Sequence, residues 1–176
     1  VECGLARRAR HRFNAEDIRE INIESGGRSF TLNDAAPKSI LAGKFSVPYC
    51  VAQTLLGRTQ PEMMMEAFTD EAFNDPGWRP LAKMVHLELN HEFDRDFETF
   101  PQVRRPARIT LVMKDGSRLT ELCEHPRGLQ VTPPTEADYL GKFRHLAGHF
   151  VPAERVERII DLVLHLDSLE DAAELS

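Results

Sequence analysis

Two stretches of strand-forming residues lie on either side of an Asp-Gly pair in the second half of the chain. The first is Ala107–Met113 and the second runs from Arg118 to Glu124, with a turn at residues 114–117 between them. The Asp-Gly pair supplies the positive-φ residues that a tight hairpin turn needs. The sequence therefore predicts an antiparallel β-hairpin here, so the fold has to contain a sheet.

Two other stretches predict further strands of this sheet. Residues 20–24 alternate strictly between polar and apolar side chains and end at Gly26 and Gly27, and residues 85–90 alternate in the same way. Helical patterns separate the strands without a regular β-α-β order. This organisation is typical of an α+β fold, so we expect an antiparallel sheet of about four strands packed with helices. The length of 176 residues fits a single domain over residues 1–176.

The stretch from Lys44 to Leu56 predicts a short helix with clear ends. Ser46 is a plausible N-cap, Pro48 falls in the first turn where a missing N–H costs nothing, and Gly57 lies where a C-terminal cap belongs. Tyr49 then lies in the first turn, near the positive end of the helix dipole. Its phenol could donate a hydrogen bond to a carboxylate ligand or release a proton. The alternative is that Tyr49 is a packing residue with a solvated hydroxyl.

Helical spacing also occurs at several other places. Thr135 and Asp138 resemble a capping box, which starts a helix that reaches Gly148. Further helices are predicted at residues 1–12, 62–67 and 69–73 and in a short segment that ends at Met84. A last long helix starts at Pro152, and its apolar stripe consists of Val156, Ile159, Ile160, Val163 and Leu166.

Charge and hydrophobicity exclude two classes of partner. The formal net charge is -6, from 22 basic and 28 acidic residues, which argues against a general nucleic-acid binder. The basic cluster at residues 7–12 is the local exception; we interpret it as the solvated face of a helix, with a partner-facing patch as the alternative. No apolar run approaches the ~20 residues that a membrane span needs, so we expect no membrane association.

The three cysteines, Cys3, Cys50 and Cys123, are odd in number and far apart in the sequence. That pattern favours free thiols in a reducing compartment over a disulfide framework, so we expect a cytoplasmic protein. Cys50 follows Tyr49 directly, but nothing in the sequence supplies a base for a nucleophilic cysteine. We therefore predict that Cys50 is a packing residue.

Patterns for cofactor or metal binding are weak. The chain contains no glycine-rich phosphate loop, no Gly-x-Ser-x-Gly elbow and no Cys-x-x-Cys pair, so we expect no nucleotide cofactor. His145 and His149 lie four residues apart, a spacing that metal sites use, but such sites need a third ligand. The predicted helix ends near Gly148, which places His149 beyond it. We expect no metal.

Several short motifs together resemble one enzyme family. The segment from Lys44 to Tyr49 is similar to the "KFSxPY" signature of the 2-methylcitrate dehydratase (MmgE/PrpD) family. Four further segments match motifs of that family in the same order, at residues 68–71 (Phe-Thr-Asp-Glu), 125–128 (His-Pro-Arg-Gly), 141–144 (Gly-Lys-Phe-Arg) and 169–171 (Leu-Glu-Asp). The resemblance extends from about Glu16 to Glu174.

The resemblance implies a specific kind of protein. In this family a small α+β domain forms a lid on a larger helical domain, so the chain would be the C-terminal domain of a longer enzyme whose helical domain is absent here. The whole enzyme would be a cofactor-independent lyase in the cytoplasm, most simply a 2-methylcitrate dehydratase of propionate catabolism. A cis-aconitate decarboxylase, an iminodisuccinate epimerase and a non-catalytic oligomerisation module are the alternatives.

The resemblance also implies candidate site residues. Tyr49 matches the signature tyrosine of the family's active site, which lies in the cleft between the two domains. Lys44 and Arg127 are the cations within the matched motifs, and we predict that they bind substrate carboxylates; for each the alternative is a surface charge or a turn contact. The expected partners are a small polycarboxylate, the helical domain of the same protein and a second copy in a homodimer.

Overall fold

The structure is a computed structural model that describes residues 3–4, 13–57, 66–94, 104–169 and 173. Its contacts divide the chain into two compact units, Val1–Pro133 and Pro134–Ser176. Most of the helix predicted for residues 1–12, with its basic cluster, lies outside the described residues, as does most of the methionine-rich helix predicted for residues 62–67. The assignment of residues 1–176 to one domain stays a prediction.

The first unit is built on a four-stranded sheet in the order β2-β1-β3-β4. The strands are β1 (Ile18–Ser25), β2 (Val85–Leu89), β3 (Ala107–Met113) and β4 (Arg118–Cys123). Each strand falls where the sequence pattern predicts one, and the helices described below complete an α+β fold. The fold class predicted from the sequence is therefore confirmed.

The predicted hairpin is formed by β3 and β4. These strands pair antiparallel from Ala107 opposite Cys123 to Val112 opposite Arg118. Gly116 adopts a φ of 88° in the turn, a left-handed conformation that glycine reaches at little cost. The carboxylate of Asp115 accepts a hydrogen bond of 2.8 Å from the backbone N–H of Ser117, which closes the turn.

The sheet is mixed, whereas the sequence pattern predicted an antiparallel sheet. β1 pairs antiparallel with β3, but it pairs parallel with β2, with Ile21 opposite Val85 and Ile23 opposite Leu87. The chain between β1 and β2 contains several helices, and a connection of that length allows the crossover that parallel strands require. The antiparallel expectation for this one pair is corrected accordingly.

One face of the sheet carries the core of the first unit. Alternate residues of β1 and β3 are buried on this face, among them Ile21, Ile23, Ile109 and Leu111. Side chains from the helices complete the same cluster. The helices of this unit are α1 (Gly27–Phe30), α2 (Ile40–Lys44), α3 (Val47–Leu55), α4 (Asp70–Asn74) and α5 (Trp78–Lys83). The buried side chains come from α3 and α5, and Phe73 of α4 packs against them.

The second unit is a pair of helices, α6 (Glu136–Ala147) and α7 (Ala153–Leu164). The predicted capping box is present, since the Thr135 side chain accepts from the Asp138 N–H and the Asp138 side chain accepts from the Thr135 N–H. Along α7 the predicted apolar stripe is only partly buried: Val156 and Ile160 are buried, but Val163 is exposed. Two twelve-residue helices bury only the stripe residues that face the partner helix.

Among the described residues, no helix combines the length and apolar character needed to cross a membrane.

Candidate functional site around Tyr49

Helix α3 begins with a buried serine that fixes the position of Tyr49. The Ser46 hydroxyl oxygen accepts a hydrogen bond of 3.0 Å from the Tyr49 backbone N–H, and the same hydroxyl donates one of 2.5 Å to the Asp34 carbonyl. Pro48 lies in the first turn, and Gly57 follows the helix with a φ of 104°. The predicted start and end of this helix are therefore confirmed.

The ring of Tyr49 lies in a cluster of aromatic side chains. It meets Trp78 edge-on at 4.8 Å between ring centroids, and it packs against Phe68 and Phe73 at 5.7 and 5.8 Å. Gly43 leaves room for this ring, since a Cβ there would lie 3.3 Å from Tyr49 Cδ1. Tyr49 is 0% exposed in this structure.

The hydroxyl of Tyr49 donates a hydrogen bond to the backbone carbonyl of Ala67. Ala67 belongs to a single 3₁₀ turn, Glu66–Phe68, and is itself fully buried. This geometry matches the packing interpretation of Tyr49, except that the hydroxyl is buried and not solvated. The catalytic role implied by the family resemblance stays a prediction, and it requires the hydroxyl to leave Ala67.

Lys44 is the last residue of α2 and is exposed. Its ammonium nitrogen lies 5.7 Å from the centroid of the Phe68 ring, within the range of a cation–π contact. Because Phe68 also packs against Tyr49, these two predicted site residues share a neighbour. The structure thus brings a cation and the phenol to the same small region of the first unit.

Arg127 lies on a different element, in the turn that follows the edge strand β4. Gly128 has a φ of 93°, and two hydrogen bonds close the turn, from Gly128 N–H to the Thr132 carbonyl at 2.9 Å and from the Thr132 hydroxyl to the Pro126 carbonyl at 2.8 Å. Arg127 itself is exposed. Its participation in one site with Tyr49 and Lys44 stays a prediction.

Cys50 behaves as the sequence predicts. Burial raises the pKa of its thiol above the ordinary value. The thiol donates a weak hydrogen bond to the Gly43 carbonyl, with the sulfur 3.7 Å from the oxygen. A raised pKa keeps the thiol protonated near neutral pH, and a protonated thiol is a poor nucleophile. Cys50 is a packing residue beside Tyr49.

The two histidines of the predicted pair lie close together within the second unit. Helix α6 ends at Ala147, so His149 lies beyond the helix as expected. The His145 and His149 ring centroids are 5.1 Å apart, and Nδ1 of His149 is 2.7 Å from the His145 carbonyl oxygen. Two imidazoles supply half of a tetrahedral ligand set, so this pair alone does not constitute a metal centre.

A cavity of about 140 Å³ lies elsewhere in the first unit, and the sequence pattern did not reveal it. Asp94 forms part of its wall and accepts a 2.8 Å hydrogen bond from the Gly27 N–H. None of Tyr49, Lys44 and Arg127 lines this cavity, whose walls are Gly26, Arg28, Ser29, Phe93, Asp94, Arg105, Pro106 and Ala107.

The decisive observation for classification comes from comparison with known proteins. The family profile described as the MmgE/PrpD C-terminal domain matches residues 1–168, which is nearly the whole chain. The chain belongs to the MmgE/PrpD family. The resemblance inferred from the signature and its companion motifs is thus confirmed, and the matched region contains the first unit and both helices, α6 and α7, of the second.

Several MmgE/PrpD relatives carry a common name. The cis-aconitate decarboxylase of Aspergillus terreus is 31% identical over 169 residues, which cover 94% of this chain and 33% of that enzyme. The cis-aconitate decarboxylase of Mus musculus is 28% identical over 164 residues, covering 93% of this chain and 32% of the enzyme. The chain therefore spans about a third of the length of these relatives.

Sequence reasoning missed the partners that hold Tyr49 in this MmgE/PrpD domain. Phe68 belongs to a matched motif, so its position near the signature helix could have been suspected. The hydrogen bond to the Ala67 carbonyl could not have been suspected, because a residue of any type presents the same backbone acceptor.

Proposed function

We propose that the protein containing this chain is a lyase acting on a small polycarboxylate, and that cis-aconitate decarboxylation is its reaction. The observation that carries this proposal is the pair of relatives named cis-aconitate decarboxylase, which align with more than nine-tenths of the chain. Their names shift the expectation from 2-methylcitrate dehydration to loss of carbon dioxide. The chain would serve as the C-terminal domain of that enzyme.

The reaction needs groups of the kind found near α3. When a carboxylate leaves cis-aconitate as carbon dioxide, the electron pair of the broken C–C bond remains on the substrate and is delocalised toward a remaining carboxylate. A proton must then be delivered to carbon. Cations that bind the carboxylates and a positioned acid lower the barrier of such a step.

Lys44 and Arg127 are the proposed carboxylate-binding residues, and Tyr49 is the proposed acid. An exposed ammonium that rests on Phe68 is free to bind an anion arriving from solvent, because a cation–π contact leaves its N–H groups available. The Tyr49 hydroxyl has no such freedom while Ala67 accepts its hydrogen bond. In the proposed reaction cycle the Glu66–Phe68 turn therefore moves when substrate binds.

Dehydration of 2-methylcitrate is the second candidate reaction. The segment from Lys44 to Tyr49 is compatible with this reaction, because it is similar to the signature of the whole family and is not particular to decarboxylases. Dehydration removes a proton next to a carboxylate and expels hydroxide, so it uses the same carboxylate-binding cations and an acid at the leaving oxygen. The product distinguishes the two reactions, since only decarboxylation releases carbon dioxide.

The proposed active site lies between this chain and a helical domain of the same protein, with a homodimer as the proposed assembly. Two large apolar side chains beside the signature helix support a covered surface, since Leu41 is 66% exposed and Phe45 is 62% exposed. Large apolar side chains that are exposed close together are typical of an interaction surface. A cytoplasmic location stays part of the proposal.

The test is an assay of the full-length protein with cis-aconitate, 2-methylcitrate, citrate and iminodisuccinate. We expect carbon dioxide from cis-aconitate, with a dicarboxylate product one carbon shorter. The 176-residue chain alone is the matched control; we expect it to fold but to show no turnover, since the proposed site needs the second domain. Absence of turnover by the full-length protein on all four acids would contradict the lyase, and turnover by the chain alone would contradict the divided site.

A further inference from the structure

Cys3 and Cys123 come together in the first unit although about 120 residues separate them in the sequence. The thiol of Cys3 donates a hydrogen bond to the Ala107 carbonyl, with the sulfur 3.0 Å from the oxygen. Ala107 is the residue directly opposite Cys123 in the β3–β4 ladder. Directly opposed residues in an antiparallel ladder have Cα atoms about 4.5–5.5 Å apart, so the Cys3 sulfur lies beside the strand pair that carries Cys123.

Both cysteines belong to the same packed cluster, and both are reduced in this structure. Cys3 is buried in the core, and Cys123 is half-buried and packs against that core. Glu121 is also buried and lies two residues before Cys123 on the same strand, so its side chain is on the same face of the sheet. Cys50, the remaining cysteine, lies on α3 with its sulfur near Gly43.

We propose that Cys3 and Cys123 form an intramolecular disulfide when the protein meets a two-electron oxidant such as hydrogen peroxide. Peroxide first oxidises one thiol, here the more exposed Cys123, to a sulfenic acid with release of one water. The Cys3 sulfur then attacks the Cys123 sulfur, the S–O bond breaks, and the hydroxyl leaves as a second water with the Cys3 proton. Two electrons pass from the two sulfurs to peroxide, so the sequence is balanced.

The environment of Cys3 sets the pH range of this step. Burial raises the pKa of the Cys3 thiol to about 11, and the Cys123 thiol and the Glu121 carboxylate add to the rise. Since the thiolate is the attacking form, disulfide formation is slow at neutral pH and accelerates as the pH rises toward that value. In a reducing compartment the pair therefore remains as thiols until oxidant is present.

The experiment is peptide mapping of the 176-residue chain after peroxide treatment at pH 7 and at about pH 9. Free thiols are blocked during denaturation, because the buried Cys3 would escape a reagent added to the folded chain, and the chain is then digested with trypsin without reductant. We expect a disulfide-linked pair of the tryptic peptides Val1–Arg7 and Leu119–Arg127, whose mass is lower than the sum of the two peptide masses by two hydrogens. This linked pair should form faster at the higher pH. The free-thiol count falls from three to one and returns to three with dithiothreitol.

Three variants provide controls for the map. Cys50→Ser retains the linked species, whereas Cys3→Ser and Cys123→Ser each abolish it, and Cys3→Ser leaves Cys123 open to sulfinic acid. The wild-type map is decisive even where a variant fails to fold. A linked peptide containing Cys50, a cross-link between two chains, or sulfinic acid at Cys123 of the wild type without the linked species would each overturn the proposal.

Discussion

The hydroxyl of Tyr49 donates a hydrogen bond to the carbonyl of Ala67, and both residues are completely buried. This bond connects the first turn of α3 to the Glu66–Phe68 turn. It gives the tyrosine of the family signature a structural function that is separate from its proposed catalytic one. Stability and turnover therefore have to be measured separately for this residue.

Removal of the hydroxyl should destabilise the first unit modestly. Tyr49→Phe keeps the ring contacts but leaves the buried Ala67 carbonyl without this donor, so the free energy of unfolding should fall by about 1–2 kcal/mol. Urea unfolding followed by Trp78 fluorescence measures this directly, because Trp78 contacts Tyr49 and is the only tryptophan in the sequence. Tyr139→Phe is the control; that side chain is exposed, so its effect should stay within about 0.5 kcal/mol. Equal effects of the two changes would contradict the prediction.

Ser46 should matter more than an ordinary helix cap. Its buried hydroxyl both accepts from the Tyr49 N–H and donates to the Asp34 carbonyl, so Ser46→Ala removes two hydrogen bonds. We expect a loss of about 2 kcal/mol in the same urea experiment. Ser39 is the matched control, since it caps α2 through one bond to the Ala42 N–H and is exposed. A Ser39→Ala variant as destabilised as Ser46→Ala would show that the bond to Asp34 contributes nothing.

Glu24 predicts a pH dependence of stability. Hydrogen bonds from Arg108, whose Nη1 lies 2.7 Å from each carboxylate oxygen, hold the pKa of Glu24 below its ordinary value near 4.5, and burial partly opposes this. A carboxyl whose pKa is lowered by folding adds stability at pH values above 4.5, and this stability is lost as the pH falls toward the folded-state pKa.

The variant that tests this is Arg108→Met, compared with wild type in urea unfolding from neutral pH downward. The stability difference between the two proteins should be full at neutral pH and should shrink below pH 4.5, as Glu24 becomes protonated in both. Arg118→Met, which removes an exposed arginine of β4, serves as the control for a general loss of positive charge. A difference that stays constant down to acid pH would refute the linkage to Glu24.

Lys44 tests the substrate-binding part of the proposal. In the full-length protein Lys44→Met keeps the contact of an unbranched chain with Phe68 but removes the ammonium. For the proposed reaction kcat/KM should therefore fall by about 10- to 100-fold, mainly through a higher KM. Lys114→Met is the control, since Lys114 lies in the hairpin turn and is exposed. Unchanged kinetics of Lys44→Met would show that Lys44 does not bind substrate and is a surface residue that only contacts Phe68.

Local chemistry made much of the fold predictable. The hairpin follows from Asp115 and Gly116, and the ends of α3 follow from Ser46 and Gly57, because turns and caps depend on residues that are close in sequence. The parallel pairing of β1 with β2 was not predictable in this way. Alternation shows which face of a strand is buried, but not which neighbour occupies each edge.

The candidate site was less predictable than the fold for the same physical reason. The pattern correctly placed Tyr49 in the first turn of a helix, but the partner of its hydroxyl is a backbone carbonyl 18 residues later. The proximity of Cys3 to β4 likewise depends on tertiary packing alone. Contacts between distant segments that use backbone atoms have no signature in one sequence, so the structure was needed to identify them.

The proposed role of Tyr49 in turnover is tested by Tyr49→Phe in the full-length protein. If the phenol delivers the proton, the variant should fold normally and lose about 10²- to 10⁴-fold in kcat, with KM nearly unchanged, because the lost interaction belongs to the transition state. Tyr139→Phe again serves as the control and should keep wild-type kcat. The stability loss expected for Tyr49→Phe is too small to unfold the enzyme at assay temperature, so a large fall in kcat cannot come from unfolding. A kcat equal to that of the wild type would leave Tyr49 with the packing function that its bond to Ala67 already provides.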